Sequence, residues 1–419
     1  MKRIVEAVFP ARMGTPFRWL VGSAWVGNLG DGIALAAGPL LVASQTSDPI
    51  LVALAGLLQR LPWLLFGLHA GVLADRLDRR RIVIVGDLLR GGVLVVLVTA
   101  LVTGAVNVPV VLTAMFLLGT AEVFVDTTTG TLLPMVVAKS DFGIGNARLI
   151  TARITMNELA GPALGATLFA VGMAWPFAVQ VVCLLLAVLL ISRMAVPPLP
   201  APEGPRPVGR DIAEGFRWTW GNAAVRTLTL TIVTFNVTFG AAWSVLVLYA
   251  TEHLGMGPVG FGLLTTAGAI GGLVASPAYG WIERRLSMAT LMRAGLLIET
   301  FSHLGFALAT TGWVALAIMF VFGAHTFVWG TVSRTVRMRA VPPQLQGRVG
   351  SLYMIGVFGG IVVGQGLGGV IARIWGLTGP FWFAFVGSAL ILVLIWPQLT
   401  HIAHADEQAL ADDRAERLS

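Results

Sequence analysis

Apolar runs of about membrane width alternate with short polar breaks along almost the whole chain. A helix needs about 20 mostly apolar residues to cross a hydrocarbon core roughly 30 Å thick. By that measure the sequence predicts twelve crossings, at 18–42, 50–74, 82–103, 107–137, 145–171, 175–195, 226–250, 258–282, 288–309, 312–334, 348–373 and 378–398. Strands of a membrane barrel would alternate apolar and polar residues with period two. These runs do not alternate, so they read as helices. The fold class expected is an all-α integral membrane protein with twelve transmembrane helices.

The polar breaks divide by charge. Lys and Arg gather in alternate breaks: 2–18, 76–81, 139–148, 193–226, 284–293, 334–348 and the tail. The opposite breaks, near 43–49, 104–106, 172–174, 251–257 and 310–312, contain none. This is the positive-inside pattern. It predicts a multi-pass protein of the inner or plasma membrane with both termini in the cytoplasm. The net charge of +7 then reflects topology, and no nucleic-acid partner is expected. The basic start (Lys2, Arg3, Arg12, Arg18) leads into a run too long for a signal-peptide core, so no cleaved leader is expected. Cys183 is the single cysteine and lies in an apolar run, so disulfides play no part.

One polar segment is of another kind. Residues 196–207, "VPPLPAPEGPRP", hold six prolines in twelve positions, which excludes a membrane helix. "GRDIAEGFRWTWGN" follows, where Ile212, Phe216 and Trp220 share one helical face, as in an amphipathic helix lying on a membrane surface. The expected division is a six-helix bundle over 1–196, a cytoplasmic linker with that helix over 197–222, a second six-helix bundle over 223–400, and a polar cytoplasmic tail over 401–419. The two bundles echo each other. Arg18 and Asn28 match Arg226 and Asn236 at an offset of 208, and the same offset takes Asp75-Arg76 to Glu283-Arg284. "GPALG" (161–165) returns as "GQGLG" (364–368). Together these favour a duplicated unit with a site between the halves.

Ionisable residues inside a membrane run are functional candidates by default, because each costs at least ~2.5–3.5 kcal/mol at the helix centre. At about 1.5 Å per residue, Asp31, Arg60 and Glu122 fall at one depth, roughly 20–22 Å from the cytoplasmic edge. Asp126 lies one turn from Glu122, and Arg153 sits at a depth similar to Asp126. Two readings follow. Asp31–Arg60 and Asp126–Arg153 are structural ion pairs, or the acids left without a cation, Glu122 and Glu158, carry protons. Glu158 also reads as a packing residue beside Gly161-Pro162. In the second half Glu299 and His303 stand one turn apart, and His325 lies in the next run. They read as a proton relay or as packing residues. Asn28, Asn236 and Gln365 are the polar side chains suited to a substrate, with Trp243 and Met354 as apolar wall.

The stretch "GVLADRLDRRR" (71–81) ends the second run and carries the clearest motif. Its Gly71, Asp75, Arg76, Arg79 and Arg80 follow the pattern G-x-x-x-D-R-x-x-R-R, by which the chain resembles the major facilitator superfamily over nearly its whole length. Asp78, where the superfamily often has Gly, is similar to the branch holding macrolide-efflux proteins and the enterobactin exporter. "NLGDG" (28–32), "LLQRLPWLLFG" (57–67), "EGFRW" (214–218) and "QGRVGSLY" (346–353) point the same way. "ELAGPALGATL" resembles the antiporter motif of the fifth helix: Gly161, Pro162 and Gly165 match, and Ala166 departs from it. The resemblance implies that Asp75 latches the halves by sitting at the positive N-terminus of the eleventh helix, near Gly347-Arg348, while the arginines hold the loop.

Other classes lack their chemistry. Lys2 and Lys139 are the only lysines, and "VVAKS" has no glycines before it, so no phosphate-cradling loop is present. No H-E-x-x-H or G-x-S-x-G occurs, and His401 with His404 is too little for a metal site. The expectation is a transporter, with no enzymatic activity and no cofactor or metal. It exports a small amphipathic molecule such as a drug, an antibiotic or a siderophore. It works by alternating access in exchange for protons, as a monomer in the lipid bilayer. Export direction is implied by the resemblance. An uncoupled facilitator or importer is the alternative, and a non-transporting receptor or an intramembrane enzyme stands further off.

Overall fold

The structure is a computed structural model that describes residues 11–195 and 208–399. Among these residues it is helical throughout, with fourteen long helices. In the first half these are α1 (Gly14–Gln45), α2 (Pro49–Arg76), α3 (Arg79–Val102), α4 (Val108–Thr129), α5 (Phe142–Ala152), α6 (Gly161–Val171) and α7 (Trp175–Ser192). Then come α8 (Val208–Gly221), α9 (Ala223–Trp243), α10 (Pro258–Glu283), α11 (Met288–Leu308), α12 (Gly312–Ala340), α13 (Gln346–Trp375) and α14 (Gly379–Ile395). Nine are long and apolar enough to cross a membrane: α1 to α4, α7, α9, α10, α12 and α13. The other three predicted crossings fall on the interrupted α5–α6, on α11 and on the 17-residue α14. The prolyl linker 196–207, the tail 401–419 and the side chain of Ile212 lie outside the described residues.

Helix boundaries follow ordinary local chemistry. Asp48, Asp78, Asn107, Asn222 and Ser287 each accept a backbone N–H at a helix start, which satisfies a donor the helix itself leaves open. Two predicted spans are corrected. The fourth run ends as a helix at Thr129 rather than near residue 137, because Pro134 cannot continue the ladder and opens a separate short turn, Leu133–Val136. The seventh ends at Trp243, and the chain goes on through a short turn and a π-turn, Tyr249–His253.

The fifth run is interrupted more deeply. Arg153–Ala160 is a π-turn between α5 and α6. Pro162 has no N–H for the carbonyl four residues back, and Gly161 bonds instead to Met156, five residues back. In an α-helix, residues five apart are turned about 140° from each other. The wider π-turn nearly aligns them, and Arg153 and Glu158 form an ion pair at 2.6 Å.

The chain divides into two compact units, Met1–Gly204 with Met256–Thr266, and Pro205–Gly255 with Ala267–Ser419. Within the first, α1 packs on α6 and α7, α2 on α4, and α3 on α4 and α7. Within the second, α9 packs on α13 and α14, and α11 on α12 and α14. The repeated glycine motif explains itself here. A Cβ on Gly165 would stand 2.2 Å from the Ile33 carbonyl oxygen of α1, and one on Gly368 would stand 2.3 Å from that of Ala241 in α9. At both crossings two helix backbones touch, and only glycine leaves room.

Candidate functional site

The first unit gathers its buried charges around one residue, Arg90 of α3. Its guanidinium donates to Asp87 on its own helix at 3.1 Å and to Asp31 of α1. Arg90 and Asp87 are buried, and Asp31 is partly open. A planar guanidinium can address two carboxylates at once, which suits arginine rather than lysine to this place. Its Nε has no partner. The charges of Glu122 and Asp126 on α4 also act on Arg90, and Arg60 of α2 acts on Glu122. Four carboxylates thus face two guanidinium groups on four helices.

Close backbone crossings hold this level together. A Cβ on Gly119, one turn before Glu122, would lie 2.4 Å from the carbonyl oxygen of Gln59, next to Arg60. One on Gly86, beside Asp87, would lie 2.4 Å from Val125 Cγ2, next to Asp126. Small residues bring α2, α3 and α4 together where their charges sit.

Several sequence expectations are corrected. Asp31 pairs with Arg90, not with Arg60. Arg153 pairs with Glu158, not with Asp126, so Glu158 does have a cation at its depth. Glu122, expected to lack one, lies within the field of both Arg90 and Arg60. It nonetheless makes no ion pair within 4 Å among the described residues, and neither does Asp126. Asp87 and Arg90 went unread although they lie 8 and 11 residues into α3, about 12 and 16 Å along its axis. The signal was available: two opposite charges spaced i, i+3 inside a 24-residue apolar helix.

The polar candidates divide. The Asn28 and Asn236 amides donate to the carbonyls of Ala24 and Ile232, four residues back on their own helices, at 2.7 and 2.6 Å. The side-chain oxygen of Gln365 is buried without a partner. Trp243 belongs to a ring stack with Phe239 (4.5 Å) and Phe322 (4.6 Å), and Met354 is exposed. In the second unit Glu299 and His325 lie 3.3 Å apart, and His303 is fully buried beside them.

The arginine motif forms a staple. Asp78 caps α3 by accepting the N–H of Arg81 at 3.2 Å. Arg79 donates to the carbonyl of Ala74 in α2 (3.0 Å), to that of Thr131 just past α4 (3.3 Å) and to Asp75 (3.4 Å). Arg80 donates to the carbonyl of Ser192, the last residue of α7. Helix C-termini expose unpaired carbonyls and the negative end of the dipole. Two arginines at the start of α3 thus serve the ends of three other helices. Gly71 lies in the last turns of α2, where an added Cβ would meet nothing within 4 Å among the described residues, so no close packing there requires glycine. Arg76 is the last residue of α2.

A membrane helical fold of two compact units, with charges gathered at membrane depth, defines a multi-pass transporter of the major facilitator type. The chain belongs to the family described as Transmembrane secretion effector, which it matches over residues 7–416. It is 29% identical over 408 residues to the multidrug efflux pump Tap of Mycolicibacterium fortuitum, covering 92% of this chain and 93% of that one. It is 23% identical over 410 residues to the enterobactin exporter EntS of Shigella boydii serotype 4, covering 95% of each. Among solved structures, an inward-facing bacterial homologue of the iron transporter ferroportin superposes with a TM-score of 0.73 at 16% identity, over 92% of this chain and 98% of that one.

Proposed function

We propose that the protein exports small amphipathic molecules from the cytoplasm by alternating access, driven by protons moving the other way. The observation that carries this reading is the charge imbalance around Arg90. Asp31 and Asp87 are taken up by its guanidinium, whereas Glu122 and Asp126 are left to bind and release protons. Protons entering from outside neutralise these carboxylates, and their departure to the cytoplasm resets the cycle. A small-molecule cargo fits the names of the relatives, an efflux pump and a siderophore exporter. The surplus of acids favours neutral or cationic cargo, since an anion would be repelled. The positive-inside pattern supports cytoplasmic termini in the inner or plasma membrane. The protein works as a monomer, and no residue serves catalysis.

The test is efflux of fluorescent amphipathic cations from an export-deficient bacterial strain, with and without a protonophore. Export is expected to collapse with the gradient, and Glu122→Gln to lower it roughly tenfold, as loss of a proton-transfer group does. Transport untouched by either would favour an uncoupled facilitator. In the same cycle Asp75 latches the outward-facing state. Asp75→Asn is expected to reach the membrane and to transport about tenfold more slowly, equivalent to ~1.4 kcal/mol on the limiting step. Full activity in that variant removes the latch.

A further inference from the structure

The second unit carries a buried ionisable cluster that the reading above does not use. Glu299 and His303 stand one turn apart on α11, and His325 faces them from α12. All three side chains are buried, His303 completely. His325 Nε2 lies 3.3 Å from Glu299 Oε2. Among the described residues neither nitrogen of His303 has a partner, nor has Nδ1 of His325. Glu299 is 11 residues into α11 and His325 is 13 into α12, about 16 and 20 Å along their axes. The cluster therefore lies at mid-membrane depth.

Its surroundings are aromatic and small. Trp243 of α9 meets His303 edge-on at 5.9 Å, and Phe322 lies 5.9 Å from His325 and 6.4 Å from His303. A Cβ on Gly295 would come 3.0 Å from the His325 ring, so glycine makes the seat for that imidazole. No other charge reaches the group. On α11, Arg293 turns to the Trp396 ring and carbonyl. On α12, Arg334 is nine residues beyond His325, about 13 Å along the helix. On α10, Glu283 lies at the C-terminal end with Arg339, and Tyr279 one turn before it. On α9, Arg226 is at the opposite end from Trp243. On α14 there is no ionisable side chain. In the turns after α9, Tyr249 donates to the Phe306 carbonyl, His253 meets the Ala309 carbonyl, and Glu252 stands beside His253.

We propose that Glu299, His303 and His325 form a proton-binding centre in the second unit, separate from the carboxylates around Arg90, that fills and empties during transport. With a proton fixed on His325 Nδ1, Glu299 and His325 hold a second between Oε2 and Nε2, and the pair is neutral whichever of the two atoms carries it. A further proton comes from water onto a nitrogen of His303 and returns to water from there, making the centre singly positive. Structural packing alone would be met by apolar side chains, which are often as stable as a buried ion pair. It would not call for a second imidazole with both nitrogens unpartnered, each of which carries a desolvation penalty.

Two measurements on the purified full-length protein test this, and only the second depends on the efflux reading. The first is proton uptake without substrate, followed with pH dyes from about pH 8 down to about pH 4. Wild type is expected to bind about one proton more than His303→Phe, which leaves the Glu299–His325 pair intact. The phenylalanine fits the ring-lined site, and an unchanged thermal transition in that same variant guards against misfolding. Equal uptake overturns the proposal. The second is the pH profile of gradient-driven transport in liposomes, which is expected to flatten in His303→Phe. A wild-type profile in that variant overturns the part played in transport. If wild type itself shows no proton-driven transport, the efflux reading fails, and the uptake result still decides whether the centre binds protons.

Discussion

The two halves share a skeleton and differ in what hangs on it. Asn28 and Asn236, 208 residues apart, both donate to the carbonyl one turn back. Gly165 and Gly368 both sit where two backbones touch. Three residues past the asparagines the halves part. Asp31 bonds Arg90 in the first, and Phe239 stacks on Trp243 and Phe322 in the second. The lesson is that duplication preserves helix crossings, which tolerate no added atom, while the side chains carried between them are free to diverge. At this position one half carries a charge and the other an aromatic ring.

The comparison can be broken at its skeleton first. Gly165→Val and Gly368→Val each drive a Cβ into a carbonyl oxygen, and both are expected to abolish folded protein, read as loss of the monodisperse peak in detergent. A folded Gly368→Val would show that the two crossings are not equivalent. Next comes the charged half alone. Arg90→Gln leaves Asp31 and Asp87 without their cation, and breaking such a buried set costs about 3–5 kcal/mol. A large drop in thermal stability is expected. The apolar half should answer differently. Phe239→Leu keeps the site apolar, so the fold should survive while export of large aromatic compounds falls about tenfold or more relative to small ones, since a modest change in apolar contact is worth about 1–3 kcal/mol. An equal loss for all compounds would take Phe239 out of the cargo's path. The smallest effect is expected at the staple. Arg80→Ala removes one charge-assisted hydrogen bond, worth about 1.5–3 kcal/mol, and should lower the melting temperature with little change in substrate range.

Much of this was legible in the sequence, for physical reasons. Run length and the side of the arginines reflect bilayer thickness and insertion, which act on the chain as a string. Depth could be counted, so Asp31, Arg60, Glu122 and Asp126 were found. Pairing could not, because it depends on how each helix is rotated and on which helices are neighbours. Asp31 therefore took the wrong arginine. The Arg153–Glu158 pair was hidden because it needs a π-turn, and Gly161-Pro162 only hints at one. Asp87 and Arg90 were overlooked although their depth in the third run could be counted in the same way. The relation of "GPALG" to "GQGLG" held because close packing writes itself directly as glycine.

The arginine staple also bears on how the protein is made. Arg80 finds its acceptor at Ser192, 112 residues later. At roughly 5–20 residues per second, the ribosome needs on the order of ten seconds to supply it. Throughout that interval the arginine is already synthesised and its carbonyl does not exist. The first bundle is therefore fastened in stages. Arg79 finds Ala74, Asp75 and Thr131 early, and this end closes fully only when the last helix arrives, so a nascent chain halted before residue 192 should carry Arg80 alone of the pair unfastened.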